Sequence, residues 1–244
     1  MKTIAKVAVG LTAVAMAASA IAGGPEMAPP TINGFNIGLG FGYNSYTYES
    51  RITEFNTNKK FNTNKIFDNG FLQANKFGPV GEIGYTFQVN QWAFVGLRAF
   101  WEYDNQRSFD GRGNYQGEVF LQSHLAALFV VGALINDTNA AYIELGYSAL
   151  WGKNILEATT HPGQVTPISS KYTLSGGVMG VGWRHYFMNN VYLDLGYNFI
   201  LYANAKSSSA LTLPAATDGG ATLSNIRKPQ VNGVTATLNY LFKV

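Results

Sequence analysis

In GFNIGLGFGYN, residues 34–44, side chains two positions apart share a character: Phe35, Ile37, Leu39, Phe41 and Tyr43 are large and apolar, and Gly or Asn stands between them. Successive side chains of a strand point to opposite faces. The segment therefore reads as a strand with one apolar face and one small, polar face. A soluble sheet alternates too. What narrows the choice is that seven further segments repeat the pattern, with the charges on the glycine face rather than opposite it.

The second segment sets Ile83, Tyr85 and Phe87 against Glu82, Gly84 and Thr86, and the third sets Val95, Leu97, Ala99 and Trp101 against Arg98 and Glu102. In the fourth, Val119, Leu121, Leu125, Ala127 and Phe129 oppose Glu118, Gln122 and His124; in the fifth, Ile143, Leu145, Tyr147 and Trp151 oppose Glu144 and Ser148. The sixth sets Met179, Val181 and Trp183 against Arg184, but its YTLSGG half keeps no clear phase, so a bulge is expected there. The seventh, Val191 to Leu201, opposes Tyr192, Asp194 and Asn198, and the last, Val234 to Phe242, opposes Thr235, Thr237 and Asn239.

These segments are about 10–14 residues long, beyond the typical soluble strand of about 5–6 and long enough to cross a bilayer at a tilt, which takes about 9–11. Short connections near Asn90, Asn136–Asn139 and Met188–Asn190 alternate with long ones at roughly 49–76, 104–117, 153–170 and 203–230. An even number of antiparallel strands, short turns at one end and long loops at the other describe an all-β, eight-stranded, up-and-down transmembrane barrel, its loops outside the cell. Closure leaves no edge to strand unpaired backbone in lipid. Phe35, Trp101, Trp151, Tyr240 and Phe242 suit the interfacial girdles, while Trp92 falls on the other parity. A chain with 14% aromatics and 27 glycines but a mean hydropathy of zero fits strands with one lipid-facing side.

MKTIAKVAVGLTAVAMAASAIA reads as a cleaved export signal over 1–22: Lys2 and Lys6, then an apolar stretch, then Ala20-Ile21-Ala22. A short periplasmic tail over 23–32 and the barrel over 33–244 follow. Without Lys2 and Lys6 the 17 basic side chains fall to 15 against 14 acidic ones, which gives no reason to expect a nucleic-acid partner. With no cysteine there is no lipid-acylation site, disulfide framework or cysteine-based zinc site.

The terminal segment TLNYLF, with Tyr240-x-Phe242, completes a chain that resembles the small outer-membrane barrels typified by the opacity proteins, OmpX and the membrane domain of OmpA. The resemblance covers residues 33–242. It implies a bacterial outer-membrane location and an aromatic-x-aromatic signal, here Tyr240 and Phe242, read by the barrel assembly machinery. Lys243 and Val244 after the aromatic, and Thr237 where a glycine is common, depart from that pattern. The peptidoglycan-binding domain of longer OmpA proteins is not expected. Architecture is what such barrels share, so activity does not transfer with it.

A narrow barrel fills its interior with side chains, and buried charges must be paired. Glu82, Arg98, Glu102, Glu118, Glu144, Arg184 and Asp194 are therefore expected to form interior ion pairs rather than a catalytic site. A hairpin centred on Asn90 would place Glu82 opposite Arg98, and one centred on Asn189 would place Arg184 opposite Asp194. His124, His161 and His185 are too scattered to predict a metal site. Ser148 could face His124, but no third group orients the pair. Neither enzyme activity nor a cofactor is expected.

The remaining functional signal lies in the loops. FNTNK at 55–59 repeats at 61–65, and residues 49–76 hold five basic and three acidic side chains. Lys59, Lys60 and Lys65 are candidate contacts for lipopolysaccharide phosphates or a host-surface ligand. The expected role is structural or adhesive, carried by the loops of a monomer, and the alternative is a narrow solute channel. Phe94, Phe100, Phe120, Tyr192 and Tyr202 face inward on this reading and favour a filled lumen.

Overall fold

The computed structural model describes residues 32–56, 65–112, 115–158, 168–203, 205–212 and 219–244, all strand, turn or extended chain. The predicted export signal and most of the periplasmic tail lie outside this range. The strands are β1 (Gly34–Asn56), β2 (Lys65–Gln88), β3 (Ala93–Arg112), β4 (Tyr115–Asn136), β5 (Asn139–Ala158), β6 (Ile168–Met188), β7 (Val191–Tyr202), β8 (Ala205–Thr212) and β9 (Gly219–Lys243). Neighbours pair antiparallel, and β9 closes on β1 from Gly34↔Lys243 to Asn56↔Gly219. β7 and β8 pair with successive stretches of β9, so together they form one stave and the barrel has eight.

Strands of 20–25 residues are twice what a bilayer requires. The segments assigned to long loops from sequence are therefore largely paired strand: 49–54 pairs with 65–71, and 106–112 with 115–121. The wall continues past the membrane as twisted hairpins. Their polar composition hid them, because outside the lipid the outward face no longer needs to be apolar.

Within the lipid band the alternation matches the sequence. Leu39, Phe41, Ile83, Leu97, Phe129, Leu145 and Leu238 point outward, and Asn36, Glu82, Arg98, Glu144 and Asp194 are buried inside. Trp101 and Trp151 mark one rim, and Phe35, Tyr240 and Phe242 the other. The latter two rings meet edge to face at 4.8 Å.

Three local features differ from expectation. The first hairpin centres on Gln91, because Asn90 Oδ1 accepts the backbone N–H of Trp92 (2.9 Å) and of Ala93 (2.8 Å) and holds the turn one residue later. Arg98 is thereby opposite Gly84, and Glu82 opposite Phe100. Second, β4 changes phase at Gln122, where the pairing with β5 skips from Leu121↔Gly152 to Ser123↔Trp151. Val119 and Leu121, expected on the lipid face, are buried inside, and Glu118 lies outside beside Arg107 at 3.6 Å. Phe120, between them, is on the outer wall rather than inside. Third, β6 has no bulge in its YTLSGG half: it pairs with β5 without a break from His185 to Ile168. Tyr172, Leu174 and Val178 fill the interior there, and Lys171 and Thr173 face out. The phase was illegible because the two faces exchange polarity.

Candidate functional site

The barrel interior is stacked in layers. Ile32, Phe94, Val130, Ala140, Tyr142, Tyr186, Tyr192 and Leu241 close the end at the short turns. Next comes a charged layer. Arg98 donates from Nε to Glu82 at 3.0 Å and from Nη1 to Glu144 at 3.1 Å and to the Tyr142 hydroxyl at 3.1 Å. Arg184 donates from Nε to Asp194, its direct cross-strand partner, at 2.9 Å. Tyr142 donates its hydroxyl proton to the other oxygen of Asp194, so the two arginine pairs form one network. Arg184 also stands over the rings of Phe94, Tyr142 and Tyr192 at 5.0–5.4 Å. A guanidinium held by carboxylate in its plane and aromatic rings on its faces suits a dry interior.

Phe100 separates this layer from a second one. Its ring meets His124 edge-on at 5.5 Å on one side and Arg98 at 5.5 Å on the other. His124 Nδ1 lies 2.9 Å from Asp104 Oδ2, and its Nε2 lies 3.7 Å from Glu102 Oε2. Asn44 donates to Asp104 Oδ1 at 3.2 Å. The sequence places Glu102 among the interior charges, whereas Asp104 falls in the segment 104–117 that it marks as a loop. Its spacing of two from Glu102, on one strand face, was the signal that could have found it. Glycine at Gly42 makes the space, since a Cβ there would lie 2.2 Å from Glu102 Oε1.

Above these layers Tyr46, Tyr48, Leu121, Leu150, Leu174, Ile200, Tyr202 and Val231 pack into an apolar plug. A cavity of about 10 Å³ lined by Tyr46, Leu121 and Leu150 has room for one water at most. Ser148 does not meet His124: its backbone partner is Ala126, and its hydroxyl pairs with that of Tyr202 at 2.9 Å. The Asp104–His124 pair is enclosed between Phe100 and this plug, level with the tryptophan rim, and both residues are buried.

On the outer wall, one row above Tyr103 and Trp151, Arg107, Phe120, Lys153 and Lys171 are successive cross-strand partners on β3 to β6. Arg107 and Lys153 stand over the Phe120 ring at 5.2 and 5.0 Å, leaving it 7% exposed. Lys59 and Lys60 lie outside the described residues. Lys65 opens β2 opposite Glu54.

No family model matches the chain. Among solved structures it is similar to OprG of Pseudomonas aeruginosa, at 12% identity and a TM-score of 0.49 over 90% of this chain and 100% of that one. It is also similar to Ail, the attachment invasion locus protein of Yersinia pestis, at 16% identity and a TM-score of 0.41 over 86% and 99%. Outer membrane protein P1 of Coxiella burnetii is 42% identical across 257 aligned positions that cover all of both chains. An apolar outer band, a closed eight-stave wall and that full-length identity lead to one assignment: the chain is an outer-membrane β-barrel protein of the outer membrane protein P1 family.

Proposed function

We propose that the protein is a sealed, monomeric, non-enzymatic barrel whose work is done on its outer and extracellular surfaces. The observation that carries this reading is the filled interior. Two apolar layers enclose two polar ones, and a channel would need a continuous wet path through all four. The hairpins that rise beyond the membrane are then the surface left for a partner, such as a host-surface ligand. Tyr240 and Phe242 on the closing strand serve the assembly machinery, and the export signal is removed on the way.

The basic row supports a second contact, with lipopolysaccharide. Lys153 and Lys171 are direct cross-strand partners, a repulsive arrangement by itself. An anion beside them relieves it, and the row lies just above the tryptophan rim, where the phosphates of outer-leaflet lipid stand. Phosphate recognition by Arg and Lys on such a rim is electrostatic and charge-assisted.

Planar-bilayer recording of the purified full chain tests the sealed interior: no steps above baseline are expected, and regular single-channel conductance would replace this reading with the channel. Binding to lipopolysaccharide vesicles tests the row. Lys153→Glu with Lys171→Glu should weaken it at least tenfold with the barrel still folded. Shortening the tips near 57–64 and 213–218 should remove binding to host cells and leave the lipopolysaccharide contact intact.

A further inference from the structure

We propose that His124 and Glu102 are the protein ligands, with Asp104 behind the imidazole, of a binding site for one divalent transition-metal ion of the zinc type, enclosed inside the barrel. Glu102 and Asp104 are two apart on β3 and share its inner face, and His124 on β4 is the backbone partner of Glu102. A donor atom from each lies within 4.8 Å of the others, and all three residues are buried.

The hydrogen bonds prepare the imidazole. With its Nδ1–H donated to Asp104 Oδ2 at 2.9 Å, His124 presents the Nε2 lone pair toward Glu102. Asp104 is itself fixed by Asn44, whose amide donates to Oδ1 at 3.2 Å. A carboxylate holding the far nitrogen of a histidine is the usual outer support of a metal-bound imidazole. Opposite Nε2 stands Glu102 Oε2 at 3.7 Å, too far for a hydrogen bond. That oxygen has no hydrogen-bond partner, although the residue is only 1% exposed. Two acceptors aimed at one point leave a gap of the right size, since zinc lies about 2.0–2.2 Å from nitrogen or carboxylate oxygen.

Charge points the same way. Two carboxylates face one imidazole, and the nearest guanidinium in the stack, Arg98, is engaged by Glu82 and Glu144 beyond Phe100. Buried charges are paired or coordinate metal, and the other contacts of the cluster, Asn44, the Tyr46 hydroxyl and Phe100, are neutral. Imidazole with carboxylate is a zinc-type donor set. The competing occupant is a proton on Glu102, which would donate to Nε2 and need no ion.

The apolar plug lies over the cluster, so an ion enters while the barrel folds. The full chain is refolded in detergent with Zn²⁺, stripped with EDTA and assayed for metal by mass spectrometry, with folding checked by heat-modifiable gel mobility. One zinc per folded wild-type chain is expected, falling below a tenth in folded Glu102→Gln and Asp104→Asn. Folded wild type without stoichiometric zinc, or either folded variant with a full equivalent, overturns the site and leaves the proton. Should neither variant fold, wild type refolded with Co²⁺ decides. Intense visible absorption of four-coordinate cobalt at one equivalent supports the site, and a weak six-coordinate spectrum overturns it.

Discussion

Arg98 reaches Glu82 across a diagonal: the backbone opposite Arg98 is Gly84, and the carboxylate comes from two residues further along β2. The same guanidinium also bonds Glu144 on β5. Because one cation serves two buried carboxylates, Arg98→Ala should cost about 3–5 kcal/mol, the range for breaking a buried pair. Adding Glu82→Gln should recover only part of that, and adding Glu144→Gln as well should recover more. Urea titration in lipid vesicles measures each step, and a triple variant no more stable than the single one would show the network is not shared.

The outer wall changes solvent along its height, which single charges can map. Leu97 is 67% exposed on the lipid band, so Leu97→Arg should cost about 2–4 kcal/mol. Thr173 lies on the outer wall opposite Trp151, and Thr173→Arg should change stability by less than about 0.5 kcal/mol, as for an ordinary surface position. Equal costs in the same vesicle assay would contradict a boundary at that row.

Closure depends on close backbone approach at the seam. A Cβ on Gly40 would lie 2.0 Å from the Ala236 carbonyl oxygen on β9, whereas one on Gly177 meets nothing within 4 Å. Gly40→Ala should destabilise by at least the 1–3 kcal/mol typical of overpacking and slow the appearance of the compact gel band. Gly177→Ala should leave both unchanged.

Asn90 fixes the first turn through two side-chain bonds. At about 0.5–1.5 kcal/mol each, Asn90→Ala should cost about 1–2 kcal/mol. Asp at this position should restore most of that, since its carboxylate can accept the same two N–H groups.

Much of this was legible because lipid and lumen impose opposite demands on alternate residues. Where both demands act, as from Phe35 to Tyr43, each side chain's direction follows from its neighbours. Tyr172, Leu174 and Val178 defeat the same reading, because beyond the membrane the apolar residues turn inward and the polar ones outward. A single bulge also leaves no compositional mark: Val119 and Leu121 look like lipid-facing residues until the extra residue at Gln122 is counted. The Arg184–Asp194 pairing follows from turn symmetry about Asn189, whereas Glu82–Arg98 depends on what the Asn90 side chain does. Asp104 and Asn44 meet only because the wall curves, which brings β1 and β3, on either side of β2, together on its inner face. No local pattern encodes that proximity.

The reversal of faces above Trp101 and Trp151 constrains how the barrel gets into the membrane. The wall above that rim carries Lys153 and Lys171 on its outer face, and this part of every hairpin must travel from the periplasmic to the extracellular side. A charged residue at the hydrocarbon midplane costs at least about 2.5–3.5 kcal/mol, so pushing hairpins through intact lipid one by one would meet a barrier at every passage. A wall still open between β1 and β9 offers a polar route along its inner face, beside Asn36, Asn44 and Asn239. On such a route the tips would cross together while the seam is open, and the apolar plug would form after the last of them had passed.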